Sequence, residues 1–101
     1  VKKFQETEVF SSWFKQLRDI RARARINQRL RRFMAGNPGD VRPVGDGVSE
    51  LRVNYGPGYR VYFLERGDVI VILLCGGDKN TQNRDIKAAK DLAREFKGRK
   101  L

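Results

Sequence analysis

The stretch 48-VSELRVNYGPGYRVYFLE-65 decides the architecture. On either side of Gly56-Pro57-Gly58, apolar and polar residues alternate: Leu51, Val53 and Tyr55 share one face of the first half, Glu50, Arg52 and Asn54 the other. A period of two marks a strand with one face in a core. Glycines around a proline supply the positive φ and the fixed bend of a turn. The segment therefore predicts a hairpin, whose second strand directs Tyr59, Val61 and Phe63 one way and Arg60, Tyr62 and Leu64 the other. If Tyr55 pairs with Tyr59, Asn54 stands opposite Arg60 and Arg52 opposite Tyr62. Two guanidinium groups, an amide and a phenol then share the sheet face away from Val53 and Val61.

Toward the C-terminus, Arg66-Gly67-Asp68 reads as a turn. Val69 to Cys75 follows as an unbroken apolar run of seven residues, the signature of a strand covered on both faces in the middle of a sheet. Gly76-Gly77-Asp78-Lys79-Asn80-Thr81 then leads into a helix that aligns Ile86, Ala89, Ala93 and Phe96, with Asp78, Asn80 or Thr81 suited to cap it. Toward the N-terminus, Gly45-Asp46-Gly47 is a turn and Val41 to Val44 a short strand. Gly36-Asn37-Pro38-Gly39-Asp40 ends a helix, since Gly takes the left-handed cap conformation and Pro cannot continue the hydrogen-bond ladder.

Before that stop two apolar stripes are visible. Phe10, Trp13, Phe14, Leu17, Ile20 and Ala24 recur at three- and four-residue steps, whereas Ile26, Leu30, Phe33 and Met34 fall on a face rotated by roughly 150° at about 100° per residue. One straight helix cannot bury both, so two helices are expected, broken near Ile20 to Arg23. Thr7 is placed to cap the first, after a short strand over Phe4 to Glu8. The order is β-α-α-β-β-β-β-α: an α+β domain with a twisted, mainly antiparallel sheet, two N-terminal helices and one C-terminal helix, the helices packed on one face.

The 101 residues fit one domain, 1–101, and carry 22 Lys and Arg against 12 Asp and Glu, a formal charge of +10. With 40% hydrophobic residues the chain can close a modest core. The longest apolar run is far short of the roughly 20 residues of a membrane span, and Val1-Lys2-Lys3-Phe4-Gln5-Glu6 has no apolar signal core, so no membrane role and a cytoplasmic location are expected. One cysteine and no histidine exclude an internal disulfide, a Cys/His metal site and triad catalysis. Cys75 reads as a small core residue, Trp13 and Phe14 as core aromatics. No phosphate-binding glycine motif or other sign of a small-molecule cofactor occurs.

Charge concentrates between Lys15 and Arg32, with eight basic residues and the single acid Asp19. Arg21, Arg25, Gln28, Arg29 and Arg32 lie opposite the Ile26-Leu30-Phe33 face, forming a ridge suited to a polyanion such as RNA. A solvated helix face has the same pattern. The hairpin patch of Arg52, Arg60, Asn54 and Tyr62 suits a phosphodiester, because guanidinium forks grip phosphate oxygens; cross-strand pairing of the arginines with Glu50 or Glu65 is the plainer alternative.

Read in order, Trp13-Phe14, Ala24-Arg25-Ile26, Arg29-Leu30, Gly36-Asn37, Gly39-Asp40, Gly45-Asp46-Gly47-Val48-Ser49-Glu50-Leu51-Arg52, Gly58-Tyr59-Arg60-Val61-Tyr62, Gly76-Gly77-Asp78-Lys79, Thr81-Gln82 and Asp85-Ile86 span nearly the whole chain. The set resembles the RelE/ParE superfamily of toxins from bacterial type II toxin-antitoxin modules, above all its HigB-like branch of addiction-module killer proteins. That resemblance implies a RelE-like fold, ribosome-dependent endoribonuclease activity on messenger RNA (an mRNA interferase that inhibits translation), and a cognate antitoxin. It matches Arg60 to the catalytic arginine, Arg52 to a substrate-facing basic position, and Lys79 and Gln82 to a segment near further active-site groups. Several relatives use a catalytic histidine, which this chain lacks. Lys79, Tyr62 and Glu50 are therefore the candidates for proton exchange, and arginine, with a pKa above about 12, is not. A non-catalytic, ParE-like inhibitor of DNA gyrase and a general basic nucleic-acid-binding module remain as alternatives on the same fold.

Overall fold

The structure is a computed structural model and describes residues 3–67 and 69–97; Asp68 of the expected Arg66-Gly67-Asp68 turn lies outside them. The chain runs β1 (Lys3–Glu6), α1 (Glu8–Gln16), α2 (Ile20–Met34), β2 (Val41–Gly45), β3 (Val48–Val53), β4 (Tyr59–Arg66), β5 (Ile70–Asp78), a 3-10 turn (Lys79–Thr81) and α3 (Gln82–Lys97). The strands form one sheet in the order β1-β5-β4-β3-β2. Every neighbouring pair is antiparallel except β1 beside β5. The expected α+β order stands, with β1 ending at Glu6 so that Thr7 is free to cap α1 through its Oγ1, which accepts from the Phe10 N–H at 3.1 Å.

The sheet is covered on both faces, which corrects the expectation of helices on one. Phe10 of α1 and Ile26, Leu30 and Phe33 of α2 pack against Leu51, Val53, Val61, Phe63, Val71 and Leu73. On the opposite face Ala89 and Ala93 of α3 meet Val48, Tyr62, Leu64, Ile72 and Leu74. The reason lies in β4 and β5, whose side chains are apolar on both faces, so each face needs a cover. Cys75 is core, as expected; burial, helped by the Asp85 charge, pushes its thiol up to about 12.

The helix break falls at Leu17 to Asp19, three residues before the expected place. Asp19 caps α2, its Oδ1 accepting from the Arg21 and Ala22 N–H groups at 3.0 and 3.2 Å. The new phase buries Ala22 with Ile26, Leu30 and Phe33 and leaves Ala24 exposed and Ile20 72% exposed, so these two do not continue the α1 stripe. A local cap has overridden an apolar period that ran on across it. At the far end Gly36, with φ 91°, closes the helix as the sequence requires: its N–H bonds the Phe33 carbonyl and that of Asn37 the Arg32 carbonyl.

Two further departures shape the site. Strand β3 ends at Val53, and the β3–β4 register pairs Val53 with Tyr59, Arg52 with Arg60 and Glu50 with Tyr62. Tyr55 leaves the sheet because its hydroxyl donates to Asp19 at 3.1 Å and the Arg25 guanidinium sits 5.2 Å above its ring. The expected pairing is thus off by two residues, an even slip that keeps Arg52, Arg60 and Tyr62 on one face. Strand β5, for its part, runs on through Gly76 and Gly77 because both faces are occupied there. A Cβ at Gly76 would enter the Trp13 ring, and one at Gly77 would collide with the Asp85 carboxylate. Gly76→Ala is therefore expected to destabilise the protein by about 1–3 kcal/mol through overpacking. A urea midpoint equal to that of the parent would contradict this.

Candidate active site on the sheet

The α3 face of β3 and β4 is closed by the helix only as far as its start at Gln82. Beyond that start, Arg52 and Arg60 stand directly opposite each other with Glu50 and Tyr62 one step behind. Like charges opposed across a ladder repel, and what reconciles them is Glu50, whose side chain is 0% exposed. Its Oε1 accepts from Arg52 Nε at 3.1 Å and lies 3.9 Å from Arg60 Nε. Its Oε2 accepts from the Tyr62 hydroxyl at 3.0 Å and from Gln82 Nε2 at 2.9 Å. Burial pushes the Glu50 carboxyl up, yet the hydrogen bonds from Gln82, Arg52 and Tyr62 and the Arg60 charge outweigh it and hold the group below its ordinary value. The Tyr62 phenol is raised well above its ordinary value, by burial first and then by the Glu50 charge, so it stays protonated and donates.

Arg60 is the residue the cluster does not saturate. Its side chain is 12% exposed, and its Nε is buried without a hydrogen-bond acceptor among the described residues. A cleft of about 380 Å³ opens beside it, walled by Arg52, Asn54, Gly58 and Lys79 with Asp40 on the rim. Gly58, at φ 82°, brings the hairpin loop close: a Cβ there would lie 3.5 Å from Lys79 Cβ and 4.0 Å from Arg60 Nη1. Lys79 occupies the 3-10 turn that Asp78 caps, with the Asn80 N–H donating to Asp78 Oδ1 at 2.8 Å. Of Asp78, Asn80 and Thr81, expected to cap α3, Asp78 thus caps the 3-10 turn that precedes it.

The structure brings together Glu50, Arg52, Arg60, Tyr62 and Gln82, and sets Lys79 and Asn54 on the cleft wall. It keeps Arg21, Arg25, Arg29 and Arg32 apart on α2. Arg29 is not a free member of that ridge. Its guanidinium donates to the carbonyls of Arg52 and of Pro38, the latter at 2.9 Å, across a Gly39 that has no Cβ to obstruct it. Arg29 thus straps α2 to the end of β3. Two residues support the site although the sequence gives them no role in it. Asp40 accepts the Arg52 N–H at 2.9 Å through its carbonyl, whereas Gly39-Asp40 reads only as a helix stop and as part of the family pattern. Asp85 accepts from the Thr81 hydroxyl and fills the space left by Gly77; the Thr81-Asp85 spacing of four, from the end of the 3-10 turn into α3, was its signal. Among the described residues no three His, Cys, Asp or Glu side chains gather as a metal site, and no helix is long and apolar enough to cross a membrane.

Sheet order, helix placement and the arginine-lined face define a small basic α+β protein of the RelE-like kind. A family model, "Phage derived protein Gp49-like (DUF891)", matches residues 12–97, and the chain belongs to that family. The family is related to addiction-module killer proteins, and its members are commonly the toxins of toxin-antitoxin modules, which implies an antitoxin partner. A Haemophilus influenzae protein described as "Uncharacterized protein" is 53% identical over 90 residues, covering 89% of this chain and 91% of its own.

Proposed function

We propose that the protein is the toxin of a type II toxin-antitoxin module and acts as a metal-independent endoribonuclease on ribosome-bound messenger RNA. The observation that carries this reading is the pair Arg52 and Arg60, opposed across β3 and β4, anchored on buried Glu50, and open on one side to a cleft. In the proposed reaction the substrate's 2′-hydroxyl attacks the adjacent phosphorus and the bond to the 5′-oxygen breaks, leaving a 2′,3′-cyclic phosphate and a 5′-hydroxyl. The 2′-hydroxyl proton passes to solvent, and Lys79 supplies a proton to the leaving oxygen from the cleft wall. Arg60 and Arg52 meet the charge that builds on the phosphorane; such preorganised donors act most strongly where water is excluded. Tyr62, Glu50 and Gln82 take no proton in this scheme. Both Tyr62 and Glu50 are fully buried, and together the three hold the guanidinium groups in place.

The experiment is to add the purified protein to translating ribosomes with a defined message, with and without EDTA, and to map new RNA ends by primer extension. Cuts inside the ribosomal A site that survive EDTA are expected. Intact message, together with inhibition of gyrase supercoiling by the same preparation, would replace this reading with that of a gyrase poison.

A further inference from the structure

The basic stripe on α2 and the cleft on the sheet share a wall. A trough along α2 is bounded by Arg25, Gln28, Arg29 and Arg32 and closed by Val53 and Asn54, two residues that also wall the cleft around Arg60. Arg25, Gln28 and Arg32 follow at three- and four-residue steps, a line about 10 Å long on one side of the helix. All three are exposed, and neither Arg25 nor Arg32 forms an ion pair among the described residues. Their geometry relative to the cleft is fixed, because the Arg29 strap holds α2 against the end of β3. Beside the line stands Tyr55, tied by its hydroxyl to Asp19 with Arg25 over its ring. One amide between two cations, with a second amide, Asn54, and an aromatic ring beside them, suits bases and phosphates better than a run of carboxylates.

We propose that Arg25, Gln28 and Arg32 form a second RNA subsite, which holds the single-stranded nucleotides flanking the phosphodiester in the cleft, with Asn54 at the crossing. This inference rests on the ribonuclease reading of the cleft. It makes α2 a determinant of how long an RNA the protein grips, and separates that grip from the chemistry at Arg60. A chain that threads both places neutralises phosphates along α2, and each lost phosphate contact lowers the salt slope of single-strand binding by about 0.7.

The test is fluorescence anisotropy with a labelled RNA decamer and a labelled trimer over a salt series, comparing the parent with the double variant Arg25→Gln/Arg32→Gln. Thermal melting checks that the variant stays folded. The expected result is a decamer slope smaller in magnitude by about 1.4, two contacts at 0.7 each, and a trimer slope that does not move. An unchanged decamer slope would overturn the proposal, and so would an equal loss for the trimer, which would mark a diffuse field and not a subsite. A decaglutamate peptide serves as the rival probe: if the double variant loses it while the decamer slope holds, the stripe is a protein-partner surface and the proposal fails. Cleavage by an Arg60→Ala protein reports on the cleft alone, so the two readings fail separately.

Discussion

Arg60→Ala is expected to lower cleavage of ribosome-bound message by about 100- to 1,000-fold, the loss seen when one preorganised donor to a developing oxyanion is removed. The size follows from its surroundings. Arg60 is 12% exposed, so its charge faces the cleft with little water to screen it, and its Nε has no hydrogen-bond acceptor among the described residues. The fold itself should survive, since Glu50 keeps its hydrogen bonds from Arg52, Tyr62 and Gln82 when Arg60 is gone. Arg60→Lys is the sharper control: it keeps a positive charge but loses the planar fork, and it is expected to recover only part of the rate. Primer extension on the parent and both variants, with equal melting temperatures, is the measurement. Cleavage by Arg60→Ala at the parental rate would remove the arginine from the mechanism.

Glu50→Ala acts on stability instead. It leaves two guanidinium groups opposed at register-paired positions, and a buried phenol and a half-buried amide without their acceptor. Breaking a buried ion pair from one side destabilises by about 3–5 kcal/mol, a large share of the roughly 5–15 kcal/mol that holds a domain together. At about 4 °C per kcal/mol for a chain of this size, Tm should fall by at least about 12 °C. Acid gives an independent check. A carboxyl held below its ordinary value of 4.5 contributes stability that is full above that value and is lost as pH falls through the lower folded-state value. The parent should therefore lose Tm below pH 4.5, and Glu50→Gln, which cannot titrate there, should lose less. A Glu50→Ala protein that melts with the parent would show that the arginines are held by something else.

How legible this was from residues differs from one element to the next. The hairpin over 48–65 could be read because alternation and a glycine-proline turn are local signals, and the face shared by Arg52, Arg60 and Tyr62 survived a register error of two because side chains return to the same face every second residue. The register itself could not be read. It depends on Tyr55 being drawn out of the strand by Asp19 and Arg25, partners some 30 residues away in the chain. The place of the helix break is hidden for a similar reason: an apolar stripe that runs on to Ala24 masks the cap at Asp19. In the sequence Arg29 is one more cation on a ridge; only the fold brings the carbonyls of Arg52 and Pro38 within its reach.

The amino-acid order by itself therefore determined the number and sequence of elements, the strongly basic character, the absence of Cys/His chemistry, and which face of the hairpin carries the arginines. These rest on periodicity, composition and turn chemistry, which act over a few residues. Only the tertiary structure decided that Glu50 is a buried anchor, that from beyond β5 Gln82 comes back to that anchor and Lys79 to the cleft wall, and that α3 covers the second sheet face yet stops short of Arg60. Each of these is a meeting of residues far apart in the chain. Such meetings are fixed by how two apolar sheet faces are covered at once, and no local pattern records that.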